Sequence, residues 1–258
     1  MISALDALTQ FGQASFIVAF AVFLRIGAAL SLLPAFGERS VPVRVRLALG
    51  VAFTLIVAPA VAEDLPDLQA KDLLGLFLFV ETVIGLALGA VLRLFVMALQ
   101  LAGAMAAQTI SLAQIFGGGA IDPQPSIGHV MVMSGLALAV ILGLHVKIAS
   151  FFVFSYAFLP AGVVPSVGDL AAWGIEGTAR AFSLGFALAM PFVITSLIYN
   201  LTLGVINRAM PQLMVAFIGA PAITLGGLAI LSLSLPLALQ VWIAAFDAFI
   251  ADPVGIGR

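Results

Sequence analysis

The C-terminal part of the chain carries two long runs without a charged residue, and a single arginine separates them. The runs cover residues 181–207 and 209–246, with Arg208 between them. About 20 mostly apolar residues suffice for a helix to cross the hydrocarbon core of a bilayer. Because lipid offers no hydrogen-bond partners, the backbone of such a segment must satisfy itself, and an α-helix does so. These runs therefore predict an all-α, multi-span membrane protein.

Composition points the same way over the whole chain. Of 258 residues, 63% are hydrophobic and 9% are charged, whereas a soluble domain is roughly 25% charged. So few charges cannot cover the surface of a soluble protein, so the chain is expected to lie in membrane lipid or to be buried among apolar partners. The net charge of -2 argues against nucleic acid as a partner, because nucleic-acid-binding proteins carry basic patches.

Side chains that support catalysis or metal binding are scarce. The chain has no cysteine and two histidines, His129 and His145, which lie far apart in the sequence. This rules out thiolate metal sites and disfavours a histidine cluster. The acids that do cluster, Glu63, Asp64, Asp67 and Asp72, fall in a predicted solvated turn, and a nucleophile motif such as G-x-S-x-G is missing from the sequence. We therefore expect no catalytic residue, no metal site and no cofactor, and hence no enzyme.

Glycine, proline and acidic residues divide the apolar sequence into segments. Turns are predicted around residues 34–42, 62–72, 117–125 and 160–169. The third segment exceeds a single membrane span and is expected to be a bent or paired helix. The last segment is expected to form two helices joined near residues 232–236. The predicted helical segments are 13–34, 43–61, 73–113, 127–159, 171–206 and 213–250.

Several charges fall in the middle of the predicted spans, among them Arg25, Glu81 and Arg93. Glu81 and Arg93 are twelve positions apart, which is more than three helical turns, so they form no intrahelical pair. Each is expected to reach the membrane interface or to pair with a neighbouring helix. A proton relay through Glu81 would need companion acids, which are missing. The pattern indicates helices that pack on protein and makes Glu81 and Arg93 candidates for packing between subunits.

The polar interruption around Arg208 has two interpretations. Asn200, Gly204 and Arg208 recur every four residues and share one face if the helix continues. Gly204 on that face would admit a close neighbour. Pro211 then ends the helix, with Gln212 beside it. The simpler interpretation is a helix end with a cap and a turn. The sharper one treats all five residues as candidates for packing between subunits.

The segment 200–221 resembles the signature of the FliR family, the flagellar export-gate proteins, which have SpaR-type counterparts in virulence type III secretion. The matching positions are Asn200, Gly204, Arg208, Pro211, Gln212, Phe217, Gly219 and Pro221. The rest of the chain resembles the same family at Arg25, Ile26, Pro34, Phe36, Gly37, Pro42, Arg46, Glu81, Gly85, Gly89 and Gly103. Met214 stands where the family commonly has a polar residue such as asparagine. The resemblance therefore covers nearly the whole length.

The resemblance implies a hetero-oligomeric export gate in the bacterial inner membrane, at the flagellar basal body. Family members resemble a fusion of their FliP-like and FliQ-like partners, and one copy joins several copies of each in a closed assembly of bent helical hairpins. The assembly forms the pore that unfolded flagellar polypeptides enter. FlhB-like and FlhA-like proteins are further expected partners. The chain would then be a non-catalytic structural subunit, with residues 1–258 forming a single integral-membrane export-gate domain.

The glycine-rich segment after the third predicted helix is a candidate pore constriction. By composition alone, Gly117, Gly118 and Gly119 favour a flexible turn between hairpins. The resemblance places a pore-plugging loop in this region. Apolar Ile115 and Phe116 beside a glycine hinge could close a pore by excluding water. We therefore treat these five residues as plug candidates.

Two other functions compete with the flagellar export gate. The first is the equivalent subunit of a virulence injectisome. No single residue distinguishes it, and general resemblance favours the flagellum. The second is a stand-alone multi-span solute transporter, which usually shows paired repeats with broken helices at matching positions. No such repeat is evident in the sequence.

Overall fold

The structure is a computed structural model, and it describes residues 2–38, 40–66, 75–111, 126–209 and 215–255. Within these ranges the chain forms seven helices and no strand, which confirms the all-α prediction. The helices are α1 (Ile2–Leu30), α2 (Val43–Ala60), α3 (Leu76–Ser111), α4 (Ser126–Ile141), α5 (Leu144–Phe158), α6 (Val167–Ala209) and α7 (Val215–Ala251).

Four helices in the described ranges are long and apolar enough to cross a membrane. A fifth candidate exists if the two helices on either side of a short break count as one span. The four are Val43–Ala60, Leu76–Thr109, Val167–Ala209 and Ala222–Ala251, and the broken pair is Ile127–Ile141 with Leu144–Phe158. The prediction of a multi-span membrane protein is therefore confirmed.

Helix α7 corrects the prediction of two helices at the C-terminal end. It runs without a break from Val215 to Ala251 and passes through Pro236, where the joint was expected. A proline removes a single backbone N–H, and apolar helices tolerate it where neighbouring groups satisfy the freed carbonyl. The Ser232 hydroxyl caps no second helix, because it donates to the Leu228 carbonyl of the same helix at 2.6 Å.

Three further elements differ from the sequence prediction. Helix α1 covers Ile2–Leu30, whereas the predicted segment is 13–34. The third segment is a single helix, α3, so the paired alternative was wrong. The predicted segment 127–159 is instead two helices, because Gly143 separates α4 from α5. Gly143 has φ of 81°, in the left-handed region that glycine adopts without steric cost and that ends an α-helix. A lone glycine in an apolar run is often tolerated within a helix, so this break was missed.

The chain divides into two compact units, and each has its own buried apolar core. The first comprises residues 1–94, 142–177 and 248–258, and the second comprises residues 95–141 and 178–247. Helices α3, α6 and α7 each contribute one end to the first unit and the other end to the second. The single domain predicted for the whole chain stays a prediction.

In the first unit, α3 lies against α1 at two glycines. A Cβ atom on Gly85 would stand 2.2 Å from the Arg25 carbonyl oxygen, and one on Gly89 would stand 2.5 Å from the Ala29 carbonyl oxygen. Both distances are far below van der Waals contact, so only glycine permits this approach. The spacing of four puts both glycines on one face of α3. The close crossing brings the Arg25 side chain into the core of this unit.

In the second unit, α3 and α4 cross at another pair of glycines. A Cβ on Gly103 would lie 2.1 Å from the Cα of Gly128. Helix α7 contributes the fully buried Trp242, whose Nε1 donates to the Phe95 carbonyl of α3 at 2.8 Å. Its ring stacks on Phe246 with centroids 5.7 Å apart. This unit therefore combines backbone contact with aromatic packing.

Candidate functional site

A buried ion pair stands at the centre of the first unit. Arg25 of α1 and Glu81 of α3 both have side chains that are 0% exposed. Arg25 Nε donates to Glu81 Oε2 at 2.7 Å, and Arg25 Nη2 donates to Glu81 Oε1 at 3.1 Å. This bidentate arrangement combines the strongest hydrogen-bond geometry with full charge neutralisation. It joins two helices that are distant in sequence.

Further groups complete the surroundings of the pair. Arg25 Nη1 donates to the Ser155 hydroxyl at 3.2 Å, and the backbone N–H of Gly162 donates to Glu81 Oε1 at 2.9 Å. The guanidinium lies over the Tyr156 ring, 3.8 Å from its centroid, in a cation–π contact. A buried pair is tolerated when its remaining donors and acceptors are satisfied in this way. The cluster therefore ties α1, α3 and α5 to the loop after α5.

A second ion pair lies nearer the surface of the first unit. Arg93 Nη1 donates to Glu38 Oε1, and the two side chains are 28% and 22% exposed. Arg46 Nη2 donates to the Glu38 backbone carbonyl at 3.2 Å. These contacts hold the α1–α2 connection against α2 and α3. That connection also needs Gly37, since a Cβ there would lie 2.8 Å from the Leu33 carbonyl oxygen.

The two charges singled out within α3 thus have partners in the same chain. Glu81 meets Arg25, and Arg93 meets Glu38. Glu81 thus pairs with a neighbouring helix, α1, which is one of the two expectations, whereas the partner of Arg93 lies in the α1–α2 connection and not on a helix. Their participation in packing between subunits stays a prediction.

The face with Asn200, Gly204 and Arg208 lies on one continuous helix, because α6 runs to Ala209. Asn200 is half-buried, and its Nδ2 donates to the Ser196 hydroxyl at 3.1 Å. Gly204 and Arg208 are exposed, and no described atom lies within 4 Å of a Cβ built on Gly204. Among the residues that the structure describes, this end of α6 therefore presents an open face.

The remaining predicted residues lie outside the part of the chain that the structure describes. They are the plug candidates Ile115, Phe116, Gly117, Gly118 and Gly119 and the packing candidates Pro211 and Gln212. The departure at Met214 lies outside it as well. All of these stay predictions.

Sequence reasoning missed most of the buried cluster. It noted Arg25 inside a predicted span but did not pair it with Glu81. A usable signal was present, because two opposite charges in separate apolar segments can be buried together but not singly. Ser155, Tyr156 and Gly162 gave no signal of their own, since hydroxyl residues and glycine are common in apolar helices and turns.

The described residues contain no group of three or more histidine, cysteine or acidic side chains placed to hold a metal ion. Their buried charges instead face each other within a helical, multi-span membrane protein. The family described as "Bacterial export proteins, family 1" matches residues 16–249 of the chain. This match covers far more than half of the sequence, and the chain belongs to this family of export proteins, the FliR family.

Several relatives carry the name flagellar biosynthetic protein FliR. The one from Caulobacter vibrioides is 34% identical over 228 residues, which cover 87% of this chain and 91% of the relative. The one from Escherichia coli is 30% identical over 222 residues, covering 83% and 82%. The one from Bacillus subtilis is 28% identical over 210 residues, covering 78% and 79%. The similarity thus extends along most of each protein.

Proposed function

We propose that this chain is a non-catalytic structural subunit of the flagellar type III protein export gate. It would help to form the pore that unfolded flagellar polypeptides enter. The observation that carries the proposal is the family match over residues 16–249, supported by relatives named for flagellar biosynthesis. FliP-like and FliQ-like subunits would be its immediate partners, with FlhB-like and FlhA-like proteins nearby. The protein would be located in the inner membrane at the flagellar basal body.

The length of α6 supports a place in a larger assembly. Its 43 residues extend about 65 Å at roughly 1.5 Å per residue. The hydrocarbon core is about 30 Å thick, and a tilt of about 40° lengthens the path through it only to about 39 Å. Large apolar side chains are nevertheless exposed near both ends of α6, including Val167 at 82% and Val205 at 62%. Lipid cannot cover both ends, so partner proteins would cover the remainder.

The exposed end of α6 offers a specific surface for a partner. Arg208 lies in the last helical turn and keeps its charge in every environment. Gly204, one turn earlier, leaves room for another backbone to approach. A partner with a carboxylate or with free carbonyl groups would satisfy Arg208 while packing on Gly204. This chemistry suits a protein neighbour better than it suits lipid.

The first test removes the Arg208 side chain in cells that contain the whole export apparatus. We expect Arg208→Ala to lower the yield of intact hetero-oligomer several-fold, because the buried interface loses a charged contact worth roughly 2–5 kcal/mol. The measurement is a pull-down of the tagged chain in mild detergent, with the two small apolar partners quantified. Arg44→Ala is the matched control, since Arg44 of α2 is also an exposed arginine but lies outside the signature.

The result also separates the competing functions. A stable complex of the unmodified chain with two smaller apolar proteins supports the export gate. An isolated monomer or a homodimer would support a stand-alone transporter instead. A normal yield of complex from Arg208→Ala would refute the proposed contact while leaving the gate assignment intact.

A further inference from the structure

A cavity of about 310 Å³ lies within the first unit, where the chain passes from α5 to α6. Its walls come from the end of α5, the connection 159–166, the first turns of α6 and the turn after α7. Most of the lining side chains are apolar, among them Phe158, Leu170 and Trp173. Sites for small molecules commonly measure about 300–1,000 Å³. The cavity is therefore large enough to hold part of an amphiphilic molecule.

Asp169 gives this apolar cavity a negative charge. It is the one charged side chain among the described residues that line the cavity, and it lies exposed in the first turn of α6. Its backbone N–H donates to Ser166 Oγ at 3.4 Å, so the serine caps the helix. Ligand sites commonly combine apolar walls with a few polar groups that fix the orientation of the ligand. A carboxylate beside apolar walls complements a molecule with an apolar body and one cationic group.

The opposite walls of the cavity are each held by a hydrogen bond. The backbone N–H of Gly162 donates to Glu81 Oε1 at 2.9 Å. Gly162 has φ of 70°, and a Cβ there would lie 2.7 Å from the Phe77 ring, so this turn requires glycine. On the other side, Trp173 Nε1 donates to the Pro253 carbonyl at 2.8 Å. The cavity is therefore preformed, and a ligand would not have to order its walls on binding.

The cavity lies at the ends of two candidate membrane spans. Helix α5 ends at Phe158 and α6 begins at Val167, and both helices belong to candidate spans. The connection between them is therefore expected at the level of the lipid headgroups. Large apolar side chains of this connection are exposed, with Val163 at 55% and Val164 at 57%. Trp173, in the wall, is of a residue type that is enriched at this level of a membrane. This position favours a lipid over a protein side chain as the occupant.

We propose that this cavity binds a membrane phospholipid with a primary ammonium headgroup, of the phosphatidylethanolamine type. The ammonium pairs with the Asp169 carboxylate, and the first part of an acyl chain packs against Leu170 and Trp173. The lipid phosphate stays in water. The same carboxylate repels an anionic headgroup, so the site selects against phosphatidylglycerol. This binding site is separate from the candidate pore constriction and does not depend on the proposed function.

The test measures how brominated lipids quench the tryptophan fluorescence of the full chain in phosphatidylcholine vesicles. The chain has two tryptophans. Trp173 lines the cavity, whereas Trp242 is 0% exposed, and the difference from Trp173→Phe isolates the signal of Trp173. We expect brominated phosphatidylethanolamine to quench Trp173 at a concentration about two- to fivefold lower than brominated phosphatidylcholine, whose quaternary ammonium has no N–H donor. Brominated phosphatidylglycerol should quench less than either.

Variants of the carboxylate decide whether Asp169 recognises the headgroup. Asp169→Asn removes the charge with almost no change of volume and should reduce quenching by phosphatidylethanolamine to the level of phosphatidylcholine. Asp169→Glu keeps the charge and should keep the preference. The matched control is Asp64→Asn, because Asp64 is also an exposed acid of the first unit but does not line the cavity. Leu170→Phe narrows the cavity and should weaken quenching by both lipids.

Three results would overturn the proposal. The first is equal quenching by phosphatidylethanolamine and phosphatidylcholine in the unmodified chain. The second is a preference that survives Asp169→Asn or is equally lost in Asp64→Asn, because the effect would then come from the net charge. The third comes from the assembled complex, measured as the difference from its Trp173→Phe variant. Loss of quenching there would show that a protein covers the cavity in place of lipid, whereas retained quenching would support lipid as the occupant.

Discussion

At the scale of single residues, Arg25 and Glu81 show how this chain keeps charges inside an apolar core. An isolated buried charge is very unfavourable. Two opposite charges are tolerated only when their hydrogen-bond geometry is good and other groups pair with their remaining donors and acceptors. Ser155, Gly162 and the Tyr156 ring provide those groups. The cluster is therefore stable as a whole and vulnerable to loss of any charged member.

Removal of one charge should destabilise the first unit strongly. We expect Glu81→Ala to lower the stability of the protein by about 3–5 kcal/mol, because it leaves Arg25 buried without its carboxylate. The measurement is the midpoint of thermal unfolding of the purified protein in detergent, together with its abundance in the membrane.

A control of the same chemistry is available in the second ion pair. Glu38→Ala breaks a pair that is 28% and 22% exposed, so its loss should cost about 1 kcal/mol or less. The double variant Arg25→Met with Glu81→Leu should recover much of the lost stability, since neither charge is then unpaired. Equal effects of Glu81→Ala and Glu38→Ala would contradict this account.

At the scale of helices, the folding of the first unit depends on how closely α3 approaches α1. Gly85 and Gly89 allow the two backbones to touch, with no room for a methyl group. Apolar helices in a membrane gain little from hydrophobic burial against each other, because lipid is equally apolar. Close van der Waals contact and the Arg25–Glu81 pair therefore hold these helices together.

A single methyl group at this crossing should displace α1 from α3. We expect Gly85→Ala to destabilise the protein by about 1–3 kcal/mol or more, because the new Cβ would overlap the Arg25 carbonyl. It should also disturb the adjacent ion pair. The measurement is thermal unfolding, compared with Gly226→Ala on α7, where no described atom lies within 4 Å of the added Cβ. An unchanged midpoint for Gly85→Ala would show that the helices are not in such contact.

At the scale of the whole molecule, many large apolar side chains of the described residues are exposed. The exposed apolar residues of α6 alone extend over a length of helix that exceeds the hydrocarbon core. In the proposed function, partner proteins cover the remainder, and the function would reside in the pore that such an assembly forms.

A deletion at the candidate constriction tests that function directly. We expect loss of Gly117, Gly118 and Gly119 to raise the leakage of small solutes in cells that assemble the whole gate, because the proposed glycine hinge beside Ile115 and Phe116 would be removed. Leakage and secretion of flagellar proteins are measured together, with the yield of complex as the control for assembly. Unchanged leakage with normal secretion would remove this segment from the constriction.

Periodicity and composition predicted a helical segment well where the apolar run and its flanking residues were enough to fix where the helix lies. The helix Val43–Ala60 follows Pro42 closely as expected, whereas the long apolar run before residue 112 is a single helix and not the paired alternative. The prediction failed at Gly143 and at Pro236. A glycine can either continue or end a helix. A proline can either break a helix or only remove one of its backbone hydrogen bonds. Neighbouring contacts therefore decide each case.

The sequence by itself determined the class of the protein. Long uncharged runs and scarce charges predict a multi-span membrane protein, and the resemblance of residues 200–221 to the FliR signature indicates the family. These properties are local or additive, so they can be read without coordinates.

Only the tertiary structure decided which charges and hydroxyls meet. Arg25 and Glu81 are 56 positions apart, and Ser196 and Thr109 are 87 apart. Contacts at such separations depend on how helices cross, and the crossings depend on single glycines such as Gly85. Adding one methyl group at such a position would change which side chains near the crossing can meet. The pairing of charges and hydroxyls therefore depends on how the helices pack.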